Sequence, residues 1–497
     1  MCPCAELAEA LDPRTDARLP EVDQLAQIDA SLRGPTLLFV GASLFWLLVG
    51  TLFSLIAAIQ LLNPEFIANC EWLTYGRIFP ASSTAMLYGF GDNIAFAVSL
   101  WIMARLCKTQ VKHLGLLYIA GAFWNVAILW GLGKIILGGS SSIEGMEMSG
   151  GVGPVLVLSY ALIGLWGILS YQNRQTEHVY VSQWYLLAAF LCFPWMYWSA
   201  HVMLFASPAR GVMQAVAAAW FNGGVANLWF APIALAAIYY FLPKILGRPI
   251  YGYYLATIGF WSLIMFSGWL GTRTLIFGPI PVWIQTVGIV ASVALLVPTV
   301  AIAINLLGTA RGSVSEVMGN PVLRFLVFSA LAFVSGVVIN AVASLRVVNE
   351  VTGLTDFSVA QNEQGFYAFY VMAMFGAAYY MLPRIFGRDW PASLLLKANF
   401  WCCALGITLL LVVLYVGGWQ QGAAMNDPFT PFVDILRGAV PVNQARAVAQ
   451  ILLSLGQVAF IVNAGGLMLW WAKDNCPVCR LLGSTCPACK LLKGRAS

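Results

Sequence analysis

Apolar runs of about 20 residues, separated by short polar segments, recur along the chain from residue 36 onward. An α-helix needs a run of about this length to cross the hydrocarbon core of a bilayer. The pattern predicts an all-α polytopic membrane protein with about twelve transmembrane helices, of which the second and the tenth are the most polar. The predicted spans are 36–61, 82–106, 112–137, 152–171, 182–206, 213–242, 252–272, 283–307, 322–346, 359–382, 397–419 and 445–472.

Polar segments flank this series of spans at both ends. The chain therefore divides into an N-terminal segment at 1–35, a membrane domain at 36–472 and a basic, cysteine-rich tail at 473–497. Because no apolar run precedes residue 36, the sequence does not predict a cleaved signal peptide.

Composition excludes a soluble globular protein. Hydrophobic residues make up 60% of the chain and charged residues 9%, and the mean hydropathy is +0.80. Such a chain needs a lipid bilayer as its environment. The net charge of +5 is accounted for by basic loops, so it does not indicate a nucleic-acid partner.

Basic residues are unevenly distributed between the two sets of loops. Loops that retain positive charge usually face the cytoplasm. We therefore expect a bacterial-type plasma membrane protein with both termini in the cytoplasm. The richer set contains Arg105, Lys108, Lys112, Arg174, Lys244, Arg248, Arg311, Arg324, Arg384, Arg388 and Lys397, whereas the poorer set contains Arg77, Lys134, Arg210, Arg273, Arg346, Arg437 and Arg446.

Two outer loops differ from the others in composition. The segment 138–151 is rich in glycine and serine, carries Glu144 and Glu147, and is predicted to be a flexible extramembrane turn. The longest outer segment, 420–446, contains three prolines and is predicted to pack on the outer face or on a partner.

Several motifs occur in one order along the membrane domain. They include WLTYGR at 72–77, GFGDN at 89–93, YYFLPK at 239–244, RPIY at 248–251, PVLRFL at 321–326 and YYMLPR at 379–384. Through these motifs the chain resembles the catalytic subunit, subunit I, of cbb3-type cytochrome c oxidase, a member of the heme-copper oxidase superfamily, over roughly residues 36–472. The resemblance implies a twelve-helix subunit I bundle, and partners that resemble the oxidase's membrane-anchored cytochrome c subunits.

The metal ligands of that family do not carry over. In the family, an early helix supplies one low-spin heme ligand, three histidines bind copper, and a His-x-His pair supplies one ligand to each heme. The resemblance places these positions at Ser82, Gly223, Arg273, Thr274, Gln361 and Glu363. The family's redox-active tyrosine corresponds to Ser267, and a functional glutamate corresponds to Ile339.

The replacement residues cannot ligate the same metals. Heme iron in such sites requires imidazole, thiolate, thioether or phenolate donors, and copper requires imidazole or sulfur. The chain contains only three histidines, of which His113 and His178 lie in predicted loops and His201 lies in the fifth span. We therefore expect neither heme nor copper in this bundle. His201 is expected to be hydrogen-bonded between helices or to lie near the outer interface.

New residue types surround the former ligand positions. Phe366, Tyr367, Phe369 and Tyr370 follow the former His-x-His pair, and could fill volume that hemes would otherwise occupy. An ordinary aromatic-rich helix is the alternative. Arg273 and Glu363, or their amide neighbours, are predicted to form a hydrogen-bonded network, unless both lie near the outer surface and are solvated.

A cysteine-rich tail follows the last predicted span. Cys476, Cys479, Cys486 and Cys489 form two Cys-x-x-Cys units, a common arrangement for holding zinc or iron through four thiolates. Thiol redox chemistry and inert or acylated cysteines are the alternatives. The tail lies outside the family pattern and could dock a cytosolic partner.

The loss of all six histidines predicts a pseudoenzyme. The leading interpretation is a non-catalytic, cofactor-free membrane subunit that serves as scaffold or anchor in a respiratory or electron-transfer complex. One alternative is an active cbb3-type oxidase or nitric-oxide-reductase-like enzyme. Another is a transporter or quinone-binding protein built on the same bundle.

Overall fold

A computed structural model of the chain describes residues 19–475, apart from residues 68, 142 and 149. Twelve helices in it are long and apolar enough to cross a membrane, as the hydropathy pattern predicts. We number these helices α1 to α12. They are Gln24–Leu62, Tyr75–Cys107, Leu114–Ile136, Gly153–Gln172, Val181–Ala206, Val212–Leu246, Tyr253–Leu275, Val282–Thr309, Pro321–Ala343, Asp356–Phe386, Ser393–Met425 and Phe432–Lys473.

Some of these helices contain irregular turns, and short helices lie between others. Wider π-helical turns occur at Ala85–Gly91, Val202–Ala206, Val225–Phe230 and Gln364–Val371. The regular part of α7 ends at Ser267, and a 3₁₀ turn follows at Thr272–Leu275; we call the segment 268–275 the turn after α7. Short helices at Glu71–Leu73, Val314–Gly319 and Arg346–Thr352 connect longer ones, and no strand occurs in the described part of the chain.

Several helices extend beyond their apolar runs. The first helix begins at Leu19 instead of residue 36, and the last one covers Phe432–Asn475. The outer segment 420–446 is therefore mostly helical: α11 continues to Met425, a short turn follows, and α12 begins at Phe432. Hydropathy did not predict these extensions because the added turns are amphipathic or polar.

Three helices form the centre of the bundle. In the most apolar segment of each helix, 94% of the residues of α2 and 83% of those of α6 and α10 are buried. In the other nine helices the buried share is 39–50%. The three pack against one another. The spans predicted to be the most polar, α2 and α10, are thus among the most buried, so their polar side chains face the protein instead of lipid.

Aromatic rings join the three central helices at two levels. At one level, Trp101 of α2 stacks on Phe241 of α6 with ring centroids 5.7 Å apart, and Tyr380 of α10 lies 5.0 Å from Phe241. At the other, the Tyr370 hydroxyl of α10 donates to the Gly91 carbonyl of α2 at 2.7 Å, and its ring lies 4.4 Å from Phe230 of α6. We call the level of Trp101 and Phe241 the lower junction, and the level of Tyr370 and Phe230 the upper junction.

The ends of α6 and α10 repeat one motif. YYFLPKILGR at 239–248 and YYMLPRIFGR at 379–388 both end their helix at a glycine in the left-handed region, with φ of 62° at Gly247 and 64° at Gly387. Glycine takes this conformation without steric cost, so each helix stops at the equivalent residue.

Both ends of the described chain lie on one side of the bundle, which we call the terminal face; the opposite side is the distal face. Arg33 of α1 donates to the Ile385 carbonyl of α10 at 2.9 Å, and Trp471 of α12 packs on Phe386 with ring centroids 5.4 Å apart. The two ends of the bundle therefore meet at the end of α10.

A buried ion pair fastens α1 to α2 near the terminal face. Arg105 makes a bidentate contact with Asp29, at 2.9 Å through Nε and 2.6 Å through Nη2. Trp101 of the lower junction donates to the same carboxylate at 3.0 Å. Both charged side chains are more than nine-tenths buried, so removal of one leaves the other uncompensated.

We predict that Asp29→Ala lowers the free energy of unfolding by about 3–5 kcal/mol, the usual effect of breaking a buried ion pair. The measurement is SDS-induced unfolding of the purified chain, followed by tryptophan fluorescence. Asp434→Ala is the matched control, because Asp434 pairs with Arg437 on the exposed surface. Equal losses in the two variants would contradict the structural role of Asp29.

Candidate functional site

The fold brings the six former ligand positions to the distal halves of the central helices and the turn after α7. Ser82 lies in α2, Gly223 in α6, Gln361 and Glu363 in α10, and Arg273 and Thr274 in the 3₁₀ turn. In each central helix a π-helical turn begins within three residues of such a position. Turns of this kind are frequent at functional sites.

Ser82 is buried and its hydroxyl is used within its own helix. It donates to the Phe79 carbonyl at 2.8 Å, as serine commonly does inside membrane helices. The position offers neither imidazole nor sulfur to a heme iron.

Gly223 has no space for a side chain. A Cβ built on it would lie 2.6 Å from the Leu270 carbonyl carbon and 2.7 Å from the Gly271 nitrogen. Gly271 itself has φ of +97°, and its Cβ would lie 1.9 Å from the Ala219 carbonyl oxygen. Helix α6 and the turn after α7 therefore pack backbone against backbone where the family places a copper ligand.

Arg273 connects the turn after α7 to α10. Its Nη2 donates to Gln361 Oε1 at 3.2 Å, and its carbonyl accepts from Asn349 Nδ2 at 2.8 Å. Thr274 is exposed and donates to the Gly271 carbonyl at 2.9 Å. Two former ligand positions are thus joined by a hydrogen bond.

The hydrogen bond predicted for Arg273 is made to an amide neighbour of Glu363. No ion pair joins Arg273 to Glu363 within the described residues, and the amide neighbour Gln361 accepts the hydrogen bond instead. The carboxylate of Glu363 is half-buried. The alternative, that both groups are fully solvated, does not describe the half-buried Arg273 either.

Neighbouring amides make further bonds across the bundle. Gln364 donates to the Ala332 carbonyl at 3.0 Å and to Ser335 Oγ at 2.9 Å, and it accepts from the Tyr415 hydroxyl at 2.5 Å. Asn362 donates to Glu144 at 3.3 Å. These bonds connect α10 to α9, α11 and the distal loop 138–151, so the polar residues of α10 stabilise helix packing.

The aromatic residues after Glu363 lie against the other central helices. Phe366 and Tyr370 both contact Phe230 of α6, at centroid distances of 5.5 and 4.4 Å. Phe369 lies 4.9 Å from Phe333 of α9. Three of the four aromatic side chains are buried, and Phe366 is half-buried. Phe366 and Tyr370 therefore occupy the upper junction between the central helices, whereas Phe369 packs against α9.

Taken together, these residues do not fit two hemes and a copper ion. The donor atoms at the six positions are wrong for both metals, and the backbone contact at Gly223 excludes a histidine there. The three histidines are spread apart: His113 and His178 are exposed in loops on the terminal face, and His201 is buried near the distal end of α5.

His201 is packed but incompletely hydrogen-bonded. Its ring stacks with Tyr197 and Trp198, and its Nδ1 would lie 2.4 Å from a Cβ on Gly153. That nitrogen is buried without a hydrogen-bond partner among the described residues. The predicted interhelical hydrogen bond is therefore not made through Nδ1, although the position near the distal interface is as expected.

Two acidic residues of this region were not predicted to be buried. Asp92 lies near the middle of α2 and is fully buried. Glu147 belongs to the loop 138–151, which was predicted to be a flexible turn but instead inserts Met146, Glu147 and Met148 into the bundle. A lone carboxylate within the motif GFGDN was the available signal for Asp92, because ionisable residues inside membranes are usually functional.

Glu147 is held by the fold of its own loop. Its Oε1 accepts from the Gly145 nitrogen at 3.1 Å, and the Gly145 carbonyl accepts from the buried Tyr88 hydroxyl. Burial raises the pKa of Glu147 from 4.5 to about 7; the two backbone hydrogen bonds oppose this shift, and the nearby Glu144 adds to it. The group therefore titrates near neutral pH.

The four tail cysteines, Cys476, Cys479, Cys486 and Cys489, lie outside the described residues. Within the described part of the chain, no cluster of three or more histidine, cysteine or acidic side chains is arranged to hold a metal ion. Zinc or iron binding by the tail remains a prediction.

Comparison with known proteins agrees with the resemblance seen in the motifs. The profile of the family "Cytochrome C and Quinol oxidase polypeptide I" matches residues 34–452. The cbb3-type cytochrome c oxidase subunit CcoN1 of Stutzerimonas stutzeri is 26% identical over 441 residues, which cover 86% of this chain and 92% of that protein. Cytochrome c oxidase subunit 1 of Rhodobacter capsulatus is 27% identical over 446 residues, covering 85% and 83% of the respective chains.

The fold is also similar to a solved structure. A heme-copper terminal oxidase dimer determined by cryo-EM contains a chain that superposes with a TM-score of 0.69 at 14% identity. The match covers 90% of this chain and 84% of that chain. At this identity the likeness concerns the helical architecture alone.

We predict that Gly223→Ala clearly lowers the thermal unfolding temperature, because the added methyl group must displace the backbone of Leu270 and Gly271. Gly133→Ala, in α3, is the control: a Cβ there meets no atom within 4 Å, and alanine favours the helix. An unchanged unfolding temperature for Gly223→Ala would show that the two segments do not touch.

A second prediction concerns pH. Because the pKa of Glu147 is higher in the folded protein than in the unfolded chain, protonation stabilises the fold. This contribution is complete below about pH 4.5 and is lost as the pH rises through about 7. The loss amounts to roughly 3 kcal/mol at most for a shift of this size.

Glu147→Gln should therefore be more stable than the wild type at pH 8 and about equally stable at pH 4.5, as measured by thermal unfolding across this range. The control is Glu350→Gln, at an exposed position, which should follow the wild-type pH dependence. A wild-type pH dependence in Glu147→Gln would contradict the burial of this carboxylate.

Proposed function

Since the chain belongs to the cytochrome c and quinol oxidase polypeptide I family, we propose that it is a non-catalytic, cofactor-free subunit I that acts as a scaffold or anchor in a respiratory or electron-transfer complex. It is a multi-pass membrane protein. The proposal includes a bacterial-type plasma membrane as its location, with both termini in the cytoplasm, because the loops of the terminal face are richer in basic residues.

One observation carries the proposal. The backbone of Gly271 lies where a side chain at Gly223 would have to extend, so the position of a family copper ligand is closed by direct contact. The other five positions offer a serine, an arginine, a threonine, a glutamine and a glutamate. Reduction of oxygen in this family requires heme iron and copper, and this set of donors supports neither.

Partners are suggested by the relatives. Subunit I of this family works with other membrane subunits, and one relative is named as a subunit of a cbb3-type oxidase. In this chain, the first part of α12 supplies a surface for such a partner. It precedes the apolar span predicted from residue 445, so it extends beyond the hydrocarbon core at the distal face.

The exposed apolar residues of this extension lie on one side of the helix. They are Phe432, Val433, Leu436 and Val440. The last three follow Phe432 by one, four and eight residues, and this spacing places all four within a narrow arc of the helix surface. Phe429, in the preceding turn, is also exposed. An apolar stripe outside the bilayer suits the extramembrane part of another membrane subunit, such as a membrane-anchored cytochrome c-like protein.

The tail extends the proposal to the opposite face. Cys476, Cys479, Cys486 and Cys489 would bind zinc or iron through four thiolates and could present a docking module to a cytosolic partner. This function is independent of the bundle, because the tail follows the last membrane helix.

The test is purification of the full chain in a mild detergent from its native membrane, followed by a reduced-minus-oxidised spectrum, a pyridine hemochrome assay, metal analysis and identification of co-purifying proteins. We expect no stoichiometric b-type heme and no copper, together with a c-type cytochrome subunit as partner. A catalytic subunit I purified in parallel is the positive control for heme retention.

Two outcomes would contradict the proposal. Stoichiometric heme in the purified chain would favour an active oxidase or nitric-oxide-reductase-like enzyme. Isolation of the chain without any membrane partner would contradict the scaffold function. Leu436→Glu should reduce recovery of the partner, whereas Val314→Glu, at an exposed position on the terminal face, should leave it unchanged.

A further inference from the structure

Asp92 is an unpaired carboxyl group at the centre of the bundle. It is fully buried in α2, and neither of its oxygens has a hydrogen-bond partner among the described residues. The residues beside it are bonded: the Gly91 carbonyl accepts from Tyr370, and Asn93 donates to the Gly89 carbonyl at 2.7 Å. The missing partners therefore belong to the carboxyl group itself and not to a badly packed segment.

An ionised carboxylate at this position would be very unfavourable. Transfer of an unpaired charge into an apolar interior costs several kcal/mol or more, and buried acids usually avoid this cost by binding a proton. No ion pair joins Asp92 to a basic side chain within the described residues, so its charge is not compensated. Four tyrosines interact with it electrostatically. They are Tyr88, Tyr160, Tyr197 and Tyr370, from α2, α4, α5 and α10.

Two of these tyrosines, Tyr88 and Tyr197, lead from Asp92 towards the distal loop. Tyr88 precedes Asp92 by one helical turn, and its hydroxyl donates to the Gly145 carbonyl. The nitrogen of the same glycine donates to Glu147 Oε1 at 3.1 Å, and the Tyr197 ring lies 6.2 Å from the Tyr88 ring. Hydroxyl and carboxyl groups in such an order are able to pass a proton between them.

The distal end of this series contains two more incompletely bonded groups. Glu147 Oε2 and His201 Nδ1 are both buried without a hydrogen-bond partner among the described residues. The His201 ring is parallel to that of Tyr197, with centroids 6.5 Å apart. Unbonded polar atoms of three titratable side chains therefore occur in one region, between the middle of α2 and the distal loop.

We propose that Asp92 is a buried proton-binding site that exchanges its proton with water at the distal face through Tyr88, Tyr197 and Glu147. Binding converts the carboxylate to a neutral carboxylic acid. The proton comes from water at the distal loop and returns there on release; no electron moves and no other bond is made or broken. This function does not depend on the proposed scaffold function, because it uses none of the former ligand positions.

The experiment is infrared spectroscopy of the full chain in lipid vesicles at neutral pH. We expect a C=O band from a neutral carboxyl group that Asp92→Asn removes and that Asp389→Asn, at an exposed position, leaves in place. On transfer to D₂O the band should shift promptly in the wild type. Tyr88→Phe and Glu147→Gln should slow this shift by more than an order of magnitude.

Several results decide the matter. Tyr254→Phe, at a tyrosine exposed near the terminal face, should exchange at the wild-type rate. Asp92→Asn should unfold at a temperature close to that of the wild type, because it replaces one neutral group by another. A spectrum without the Asp92 band, or exchange unaffected by both Tyr88→Phe and Glu147→Gln, would overturn the proposal. Loss of the Asp92 band on addition of sodium at constant pH would also overturn the proposal, because it would show that the carboxyl group binds a cation instead of a proton.

Discussion

The structure depends on direct packing among α2, α6 and α10. The other nine helices bury half or less of their most apolar segment, so the mutual contact of these three sets the geometry of the core. Large aromatic rings provide that contact at both junctions, through Trp101 with Phe241 at one level and Tyr370 with Phe230 at the other. Protein interiors tolerate few voids, and rings of this size fill space between the three helices.

Around the upper junction, contacts within the polypeptide occupy the places of metal ligands. Helix α6 touches the turn after α7 through backbone atoms at Gly223 and Gly271, and Arg273 bonds to Gln361 of α10. Both contacts join segments that carry former ligand positions. They hold these segments together through the polypeptide itself.

The sequence predicted the number of membrane helices and the family, because twelve apolar runs and ordered motifs such as YYMLPR at 379–384 are local signals. It did not predict the inward position of Glu147 or the helical form of 420–446. Both depend on tertiary contacts: Met148 packs against Gly131, and α12 continues as a helix through Pro441. The prediction for Arg273 did not distinguish Glu363 from its amide neighbours, whereas the geometry of α10 presents Gln361 to it. Local sequence patterns do not specify such contacts.

The shared motif at the ends of α6 and α10 has a mechanical consequence. Lys244 and Arg384 occupy equivalent positions in the last turn, and each lies over the ring of a tyrosine one turn earlier. Arg248 and Arg388 follow immediately after the terminating glycine. Cationic side chains at this level are drawn to lipid headgroups, which fixes the depth of a helix in the bilayer. Two of the three central helices are thus anchored at one height, which opposes any piston-like sliding of one past the other.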